Sequence, residues 1–307
     1  MPILYIMVGI PGSGKSSYAA ELRERGNCVV NSSDAIREEL YGSADDQSHN
    51  AEIFNTMLRR SVAALAAGLN CVYDATNLSA KRRANLISEI SRRVSDVKPI
   101  AVVIATPITE CLKRNMSRER HVPTEVIHSM AKRFEMPAYW EGFEEIRVYG
   151  NESPHGIKAM NDYLEMAVRM EQDNPNHSLT VGHHMQKAYA LYNTEAVQPK
   201  YAIAQALYFH DIGKIYCKTF RNSRGELTDI GHFYNHENIG AYLYLSLVAV
   251  ANINGHLRPS DETIVNLIQH HMDFFKGEKY LEKIKERFGK TFFDQLKEVH
   301  KYDLLAH

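Results

Sequence analysis

Two hydrophobic rhythms divide this chain. Up to about residue 150, short unbroken apolar runs alternate with stretches of helical spacing; beyond it the helical spacing continues alone. The runs at 3–8, 28–31, 70–74, 100–105 and 146–149 predict strands, and their alternation with helices predicts a parallel sheet. A helix is predicted over 53–65, stopped by Gly68. A second is predicted over 79–94 with Ser79 as N-cap, and a third with Pro123 in its first turn, ending before Pro137. After a turn-rich hinge at 150–156, helices are predicted over 157–172, 178–193, 200–210, 237–253, 261–274, 280–288 and 292–305, with no strand among them. The expected architecture is an α/β domain over 1–150, a parallel sheet flanked by helices, followed by an all-α domain over 156–307.

Composition changes this picture little. The 307 residues suffice for two cores, and 44% hydrophobic with 24% charged content is that of an ordinary soluble protein. A net charge of −1 excludes an overall basic field, so nucleic acid would have to be met locally. Four well-separated cysteines without a CxxC pair predict free thiols in a reducing compartment, with Cys28 and Cys71 inside strands. No charged leader precedes the first apolar run, and the stretch 242–253 is too short to span a bilayer. A cytoplasmic protein without a membrane partner is expected.

The strand at 3–8 runs into Gly9-Ile10-Pro11-Gly12-Ser13-Gly14-Lys15-Ser16-Ser17, a GxxxxGK[ST] phosphate loop leading into a helix. In such a loop the backbone amides around Gly12, Ser13 and Gly14 curl about phosphates, Lys15 reaches the outer oxygens, Ser16 ligates Mg²⁺, and Ser17 follows in the helix. ATP and Mg²⁺ are the expected cofactors. Asp34, behind the second strand, can take the proton of an attacking hydroxyl, and Arg37 one turn later can grip an acceptor phosphate. Behind the third strand, Asp74 can contact Mg²⁺ or the acceptor, while Thr76 and Asn77 either contact it or shape a turn. Arg82 and Arg83 follow, cations suited to a polyanionic acceptor. Lys113, Arg114, Arg118 and Arg120 have the composition of a lid that closes over transferring phosphates. No NKxD guanine-specificity motif is present, which disfavours a GTPase.

Together these residues resemble the bacteriophage-type 5′-hydroxyl polynucleotide kinase family. The resemblance covers roughly residues 1–140 through GIPGSGKSS, the Asp34/Arg37 pair, DATNLSAKRR and RNMSRERHVPTEVI, in the family's order. It implies that Lys15 and Ser16 hold ATP·Mg²⁺, that Asp34 is the general base, and that Arg37 meets the acceptor's 3′-side phosphate. Arg118, with Arg114, would be the lid arginine. The segment between Arg118 and Val122 is one residue shorter than in the family's best-known member, so Arg120 can share or replace the role of Arg118. That member's aspartate-nucleophile phosphatase motif, DxDxT, is absent.

Most of the fifteen histidines lie in the second half instead. His210-Asp211 closes a helical run, with Lys214 one turn beyond and able to steady phosphate oxygens. His184, His236, His270 and Asp303 flank that pair, and imidazole with carboxylate at one locus suits one or two divalent transition cations, bridged by an aspartate. His177 or His183 competes with His184, and His271 with His270. The tokens HDIGK, NHENIGA, IQHHM and YDLLAH are similar to the HD phosphohydrolase superfamily across 175–307. That resemblance implies metal ligands His184, His210, Asp211 and Asp303, with His236 and His270 completing a second metal position.

The pairing of the two resemblances implies a bifunctional end-healing enzyme. It would phosphorylate 5′-hydroxyl ends of RNA or DNA and remove 2′,3′-cyclic or 3′-phosphates, with a separate ligase as candidate partner. The rival reading keeps both chemistries on small molecules, a nucleoside or sugar kinase fused to a nucleotidase. A third is a binding module that senses nucleotide without turnover.

Overall fold

The computed structural model describes residues 1–44, 48–118, 121–150, 155–175, 177–250 and 254–307. Its first half is a five-stranded parallel sheet: β1 (Ile3–Val8), β2 (Cys28–Ser32), β3 (Asn70–Asp74), β4 (Lys98–Ile104) and β5 (Glu145–Tyr149), in the order β2-β3-β1-β4-β5. β1 is central. Its Leu4, Ile6, Met7 and Val8 are wholly buried, as an unbroken apolar run covered on both faces must be. The helices are α1 (Lys15–Glu24), α2 (Ser33–Tyr41), α3 (Asn50–Ala66), α4 (Ala80–Ser91), α5 (Ile108–Met116) and α6 (Thr124–Ala131). Ser79 is the N-cap of α4 but its side chain makes no capping bond; Glu135 Oε2 accepts from the Ala80 amide instead. Pro123 is likewise the N-cap of α6, one position before the first turn.

Because β1 lies between β3 and β4, the connections leaving β1 and β4 run to opposite sides, and the crevice between them opens at the strands' carboxyl ends. The phosphate loop sits there. Gly12 has φ 82°, and a Cβ at that position would fall 2.4 Å from the Cys111 carbonyl oxygen, so only glycine lets α5 approach the loop.

The second half holds α7 (His155–Arg169), α8 (Val181–Glu195), α9 (Tyr201–Phe209), α10 (His236–Val250), α11 (Pro259–His270) and α12 (Glu278–Leu305), the last leaving helical geometry at Gly289. The all-α expectation needs correcting here. β6 (Thr219–Arg221) and β7 (Leu227–His232) form an antiparallel hairpin between α9 and α10. The expected hinge falls partly on 151–154, and the expected end of the helix at 237–253 on 251–253, both outside the described residues.

The apolar core continues from the sheet into these helices. Gln269 of α11 accepts from the Met136 amide and donates to the Phe134 carbonyl, both at 2.8 Å. Asn238 of α10 donates to the Lys132 carbonyl. All four cysteines are free. Among the described residues no helix is long and apolar enough to cross a membrane.

Candidate active sites

The phosphate loop and the first turn of α1 bring Lys15 and Ser16 against the end of β3. Burial lowers the Lys15 amine's pKa, while Asp74 and Asp34 pull it upward and Arg118 adds to the lowering. Asp74 is pushed above the ordinary carboxylate value by burial, against the pull of Lys15. Its Oδ1 is buried with no hydrogen-bond partner, an orphaned carboxylate oxygen of the kind a cation would satisfy. With the Ser16 hydroxyl beside it, this donor set of hard oxygens fits Mg²⁺. Thr106, at the end of β4, braces the loop from behind: its hydroxyl donates to the Ser13 carbonyl at 2.7 Å.

Asp34 lies in the first turn of α2 with its side chain largely exposed, at 61%. Arg37 is buried and donates to Asp34 Oδ1 and Asn50 Oδ1, each at 2.8 Å. A buried, oriented guanidinium is unlike a solvated helix charge, and its planar fork is suited to an anion. Arg114 lies against the loop, its guanidinium 3.3 Å from the Ser13 carbonyl and 3.2 Å from Glu110. Arg118 is exposed, close enough to Lys15 to repel its charge. Arg120 lies outside the described residues.

Two residues read from sequence as acceptor contacts are turned inward. Arg83 is 1% exposed and meets Glu141 through Nε and Nη2 at 2.7 Å, so it ties α4 to the segment before β5. Asn77 adopts φ 44° and donates to the carbonyls of Met7, Tyr73 and Ala75, shaping the turn after β3. Their neighbour Arg82 is exposed.

The second site gathers at the ends of α8, α9, α10, α11 and α12. His184, His210 and Asp303 form one buried group, and Asp211, His236 and His271 another. Asp211 joins them: its Oδ2 lies 3.5 Å from His210 Nε2 and 3.7 Å from His184 Nε2, and its Oδ1 3.1 Å from His236 Nε2 and 3.7 Å from His271 Nε2. Gly213 permits the approach of α10, since a Cβ there would fall 2.0 Å from the His236 carbonyl oxygen.

The imidazoles are oriented alike. Nδ1 of His210, His236 and His271 lies 2.7, 2.8 and 2.7 Å from the carbonyls of Leu207, Phe233 and Ile268, each three residues earlier. A carbonyl only accepts, so each Nδ1 carries the proton and each Nε2 keeps its lone pair for the cluster. Those lone pairs converge. His184 and His210 Nε2 are 3.2 Å apart, His236 and His271 Nε2 3.1 Å apart, with carboxylates between. His236 and His271, both tethered, are acceptors facing each other at that range, which requires positive charge between them, and the tethered tautomer is the one that ligates metals. Burial opposes charge on His210, yet Asp211 and Asp303 outweigh it and raise the pKa to about 9: the pocket favours positive charge, carried either by a proton on this ring or by a cation in its place. The donor set fits one or two divalent transition cations.

His270, expected as a ligand, is outside this cluster. It bonds Asp273 at 2.6 Å and packs beside Phe288, while His271, one helical step of rotation further, faces inward. Lys214 is buried and engaged with Asp211 at 2.7 Å and Gln172 at 2.8 Å, so it holds the bridging carboxylate rather than reaching toward a substrate phosphate. Thr180 caps α8, its hydroxyl accepting from the His183 amide at 3.3 Å and lying 2.9 Å from His183 Nδ1, and His183 does not join the cluster. His177 lies beside His184, their ring centroids 5.8 Å apart.

Comparison with known proteins bears on the first half. Residues 4–137 match a family described as an AAA domain. L-seryl-tRNA(Sec) kinase of Methanococcus maripaludis is 25% identical over 171 residues, 53% of this chain and 66% of that protein. A chain of the Pnkp1/Rnl/Hen1 RNA repair complex is 26% identical, with 43% of each chain covered and a TM-score of 0.39. A gluconokinase from Sinorhizobium meliloti is 16% identical, covering 53% of this chain and 97% of its own, with a TM-score of 0.35. The chain spans just under two thirds of the curated relative's length and less than half of the repair-complex chain's. The segment matched by the family carries the parallel sheet and the phosphate loop, the arrangement of a P-loop nucleotide-binding fold.

Proposed function

We propose that the chain heals broken nucleic-acid ends with two chemistries. The first half transfers the γ-phosphoryl group of ATP to a 5′-hydroxyl. Asp34 accepts the hydroxyl proton as the oxygen attacks phosphorus in line, ADP departs, and Arg37 holds the acceptor's neighbouring phosphate. Lys15, Arg114 and Arg118 offset charge on the transferring group, and Ser16 with Asp74 holds Mg²⁺. The second half hydrolyses a 2′,3′-cyclic or terminal 3′-phosphate, as the superfamily resemblance implies. A divalent cation held by His184, His210, Asp211, His236, His271 and Asp303 would supply Lewis acidity there. The observation that carries this reading is the presence in one chain of a phosphate loop and three tethered imidazoles converging on Asp211.

A second reading draws on the inward turn of Arg83 and Asn77, which leaves fewer groups for a polyanionic acceptor. On that reading both halves act on small phosphoesters and hydroxyls. One experiment separates the two. An oligonucleotide with a 5′-hydroxyl and a 3′-phosphate is incubated with the protein, ATP, Mg²⁺ and Mn²⁺, then weighed by mass spectrometry. Gain of a 5′-phosphate lost in Lys15→Ala, and loss of the 3′-phosphate abolished in Asp211→Ala, is the expected result. No change at either end, with small substrates turned over, overturns the end-healing reading.

A further inference from the structure

A third group of imidazoles adjoins the cluster, and two of its members, His177 and His307, have no part in the chemistry above. His177, His184 and His307 offer ligand nitrogens within 4.8 Å of one another. The ring centroids of His307 lie 4.3 Å from His177 and 4.9 Å from His184. Nδ1 of His177 is buried and has no hydrogen-bond partner. His307 Nε2 also stands 3.9 Å from Asp303 Oδ1, and Lys187 holds the His307 carbonyl at 3.2 Å.

Burial orders these residues from solvent to interior. His307 is exposed, His177 half-buried, and His184, His210 and Asp303 buried. We propose that His177, His184 and His307 form an outer cation position through which a divalent transition cation reaches the inner position at His184, His210 and Asp303. The inference rests on reading the buried cluster as a metal centre.

His184 belongs to both groups. Its Nε2 already faces Asp303 at 2.9 Å and His210 at 3.2 Å, so the two positions are filled in succession rather than together. A cation moving inward keeps His184 while it exchanges His177 and His307 for His210 and Asp303. Each step replaces one imidazole or water with another borderline donor, and no bare ion crosses the apolar shell. A waypoint speeds passage in both directions and leaves the end states alone. That distinguishes it from a permanent ligand set, whose loss would weaken binding.

The test uses metal-stripped full-length protein and Co²⁺, whose visible absorption reports imidazole coordination. Loading is followed by stopped flow, release by adding excess chelator, and stoichiometry by equilibrium titration, in wild type, His307→Ala and His177→Gln. His307 is exposed, so its variant folds even if the other does not. Loading and release should slow by one common factor, about tenfold where the outer position lowers the barrier by about 1.4 kcal/mol, with affinity and stoichiometry unchanged. Unchanged rates overturn the proposal. So do weaker affinity with faster release, which makes the pair permanent ligands, and a wild-type equivalent that the variants lack, which makes it a separate ion. Wild-type protein that takes up no Co²⁺ refutes the metal centre itself.

Discussion

The Tyr242 hydroxyl donates a 2.8 Å hydrogen bond to the Thr106 carbonyl, and the Thr106 hydroxyl donates in turn to the Ser13 carbonyl of the phosphate loop. Tyr242 and Thr106 are wholly buried, and Phe134 packs edge-on against the Tyr242 ring. A helix that begins with a cluster histidine, His236, thus ends its second turn behind the nucleotide site. Tyr242→Phe removes the donor and leaves a buried carbonyl with only the weak Cys111 thiol at 3.4 Å. A stability loss of about 1–3 kcal/mol is expected. Nucleotide affinity should fall as well, because the loop loses its brace. Calorimetric unfolding and ATP titration check both; full ATP affinity in a folded variant would leave Tyr242 with a packing role only.

Arg83 and Glu141 form a fully buried pair, and Glu141 also accepts from the Ala138 amide. Arg83→Met strands a buried carboxylate and should destabilise the fold by about 3–5 kcal/mol, whereas Arg83→Met with Glu141→Leu should recover much of the loss. Exposed Arg82 behaves oppositely. Arg82→Glu should change stability by less than about 0.5 kcal/mol while weakening phosphorylation of an oligonucleotide and flattening its salt dependence. Thermal unfolding and kinase assays at two salt concentrations separate the pair.

The contrast between these neighbouring arginines shows what the sequence could and could not disclose. Strands announced themselves because each is an unbroken apolar run, and the phosphate loop because its glycines leave few alternatives. Arg83 did not, since a buried arginine looks like an exposed one until its partner, 58 residues later, is placed. The break at Gly289 was legible as the gap between helices predicted over 280–288 and 292–305. The hairpin was not: β6 has three residues, none of them buried, so it carries no alternating pattern. The His270–His271 choice turned on a helix rotation fixed by tertiary packing.

That choice has a direct consequence. His271 Nε2 faces His236 and Asp211, while His270 is held by Asp273, itself bonded to Lys276 at 2.8 Å. His271→Ala should remove about one of the bound transition-metal equivalents or weaken it by tenfold or more. His270→Ala should keep its metal and lose only local stability. Elemental analysis after dialysis reads the difference, and the reverse pattern would return His270 to the ligand set.

His128 of α6 gives the fold an acid sensitivity. Its ring lies 5.1 Å from Tyr216, joining the α/β half to the turn after His210-Asp211, and its Nε2 is buried without a partner. Burial first, then Lys132, push its pKa below the ordinary value, against Glu125. The unfolded chain therefore binds this proton more readily than the folded one. The stability that depends on neutral His128 is whole above about pH 6.5, the unfolded value, and is lost as pH falls through it toward the lower folded pKa. His177, pushed down to about 4 by burial, and His300 shift the same way, so His128 carries one share of the effect. His128→Gln cannot take up the proton. Between about pH 7.5 and pH 5.5, its melting temperature should fall less than that of wild type, the two converging as acid is added. Parallel slopes in the two proteins would place the acid sensitivity elsewhere.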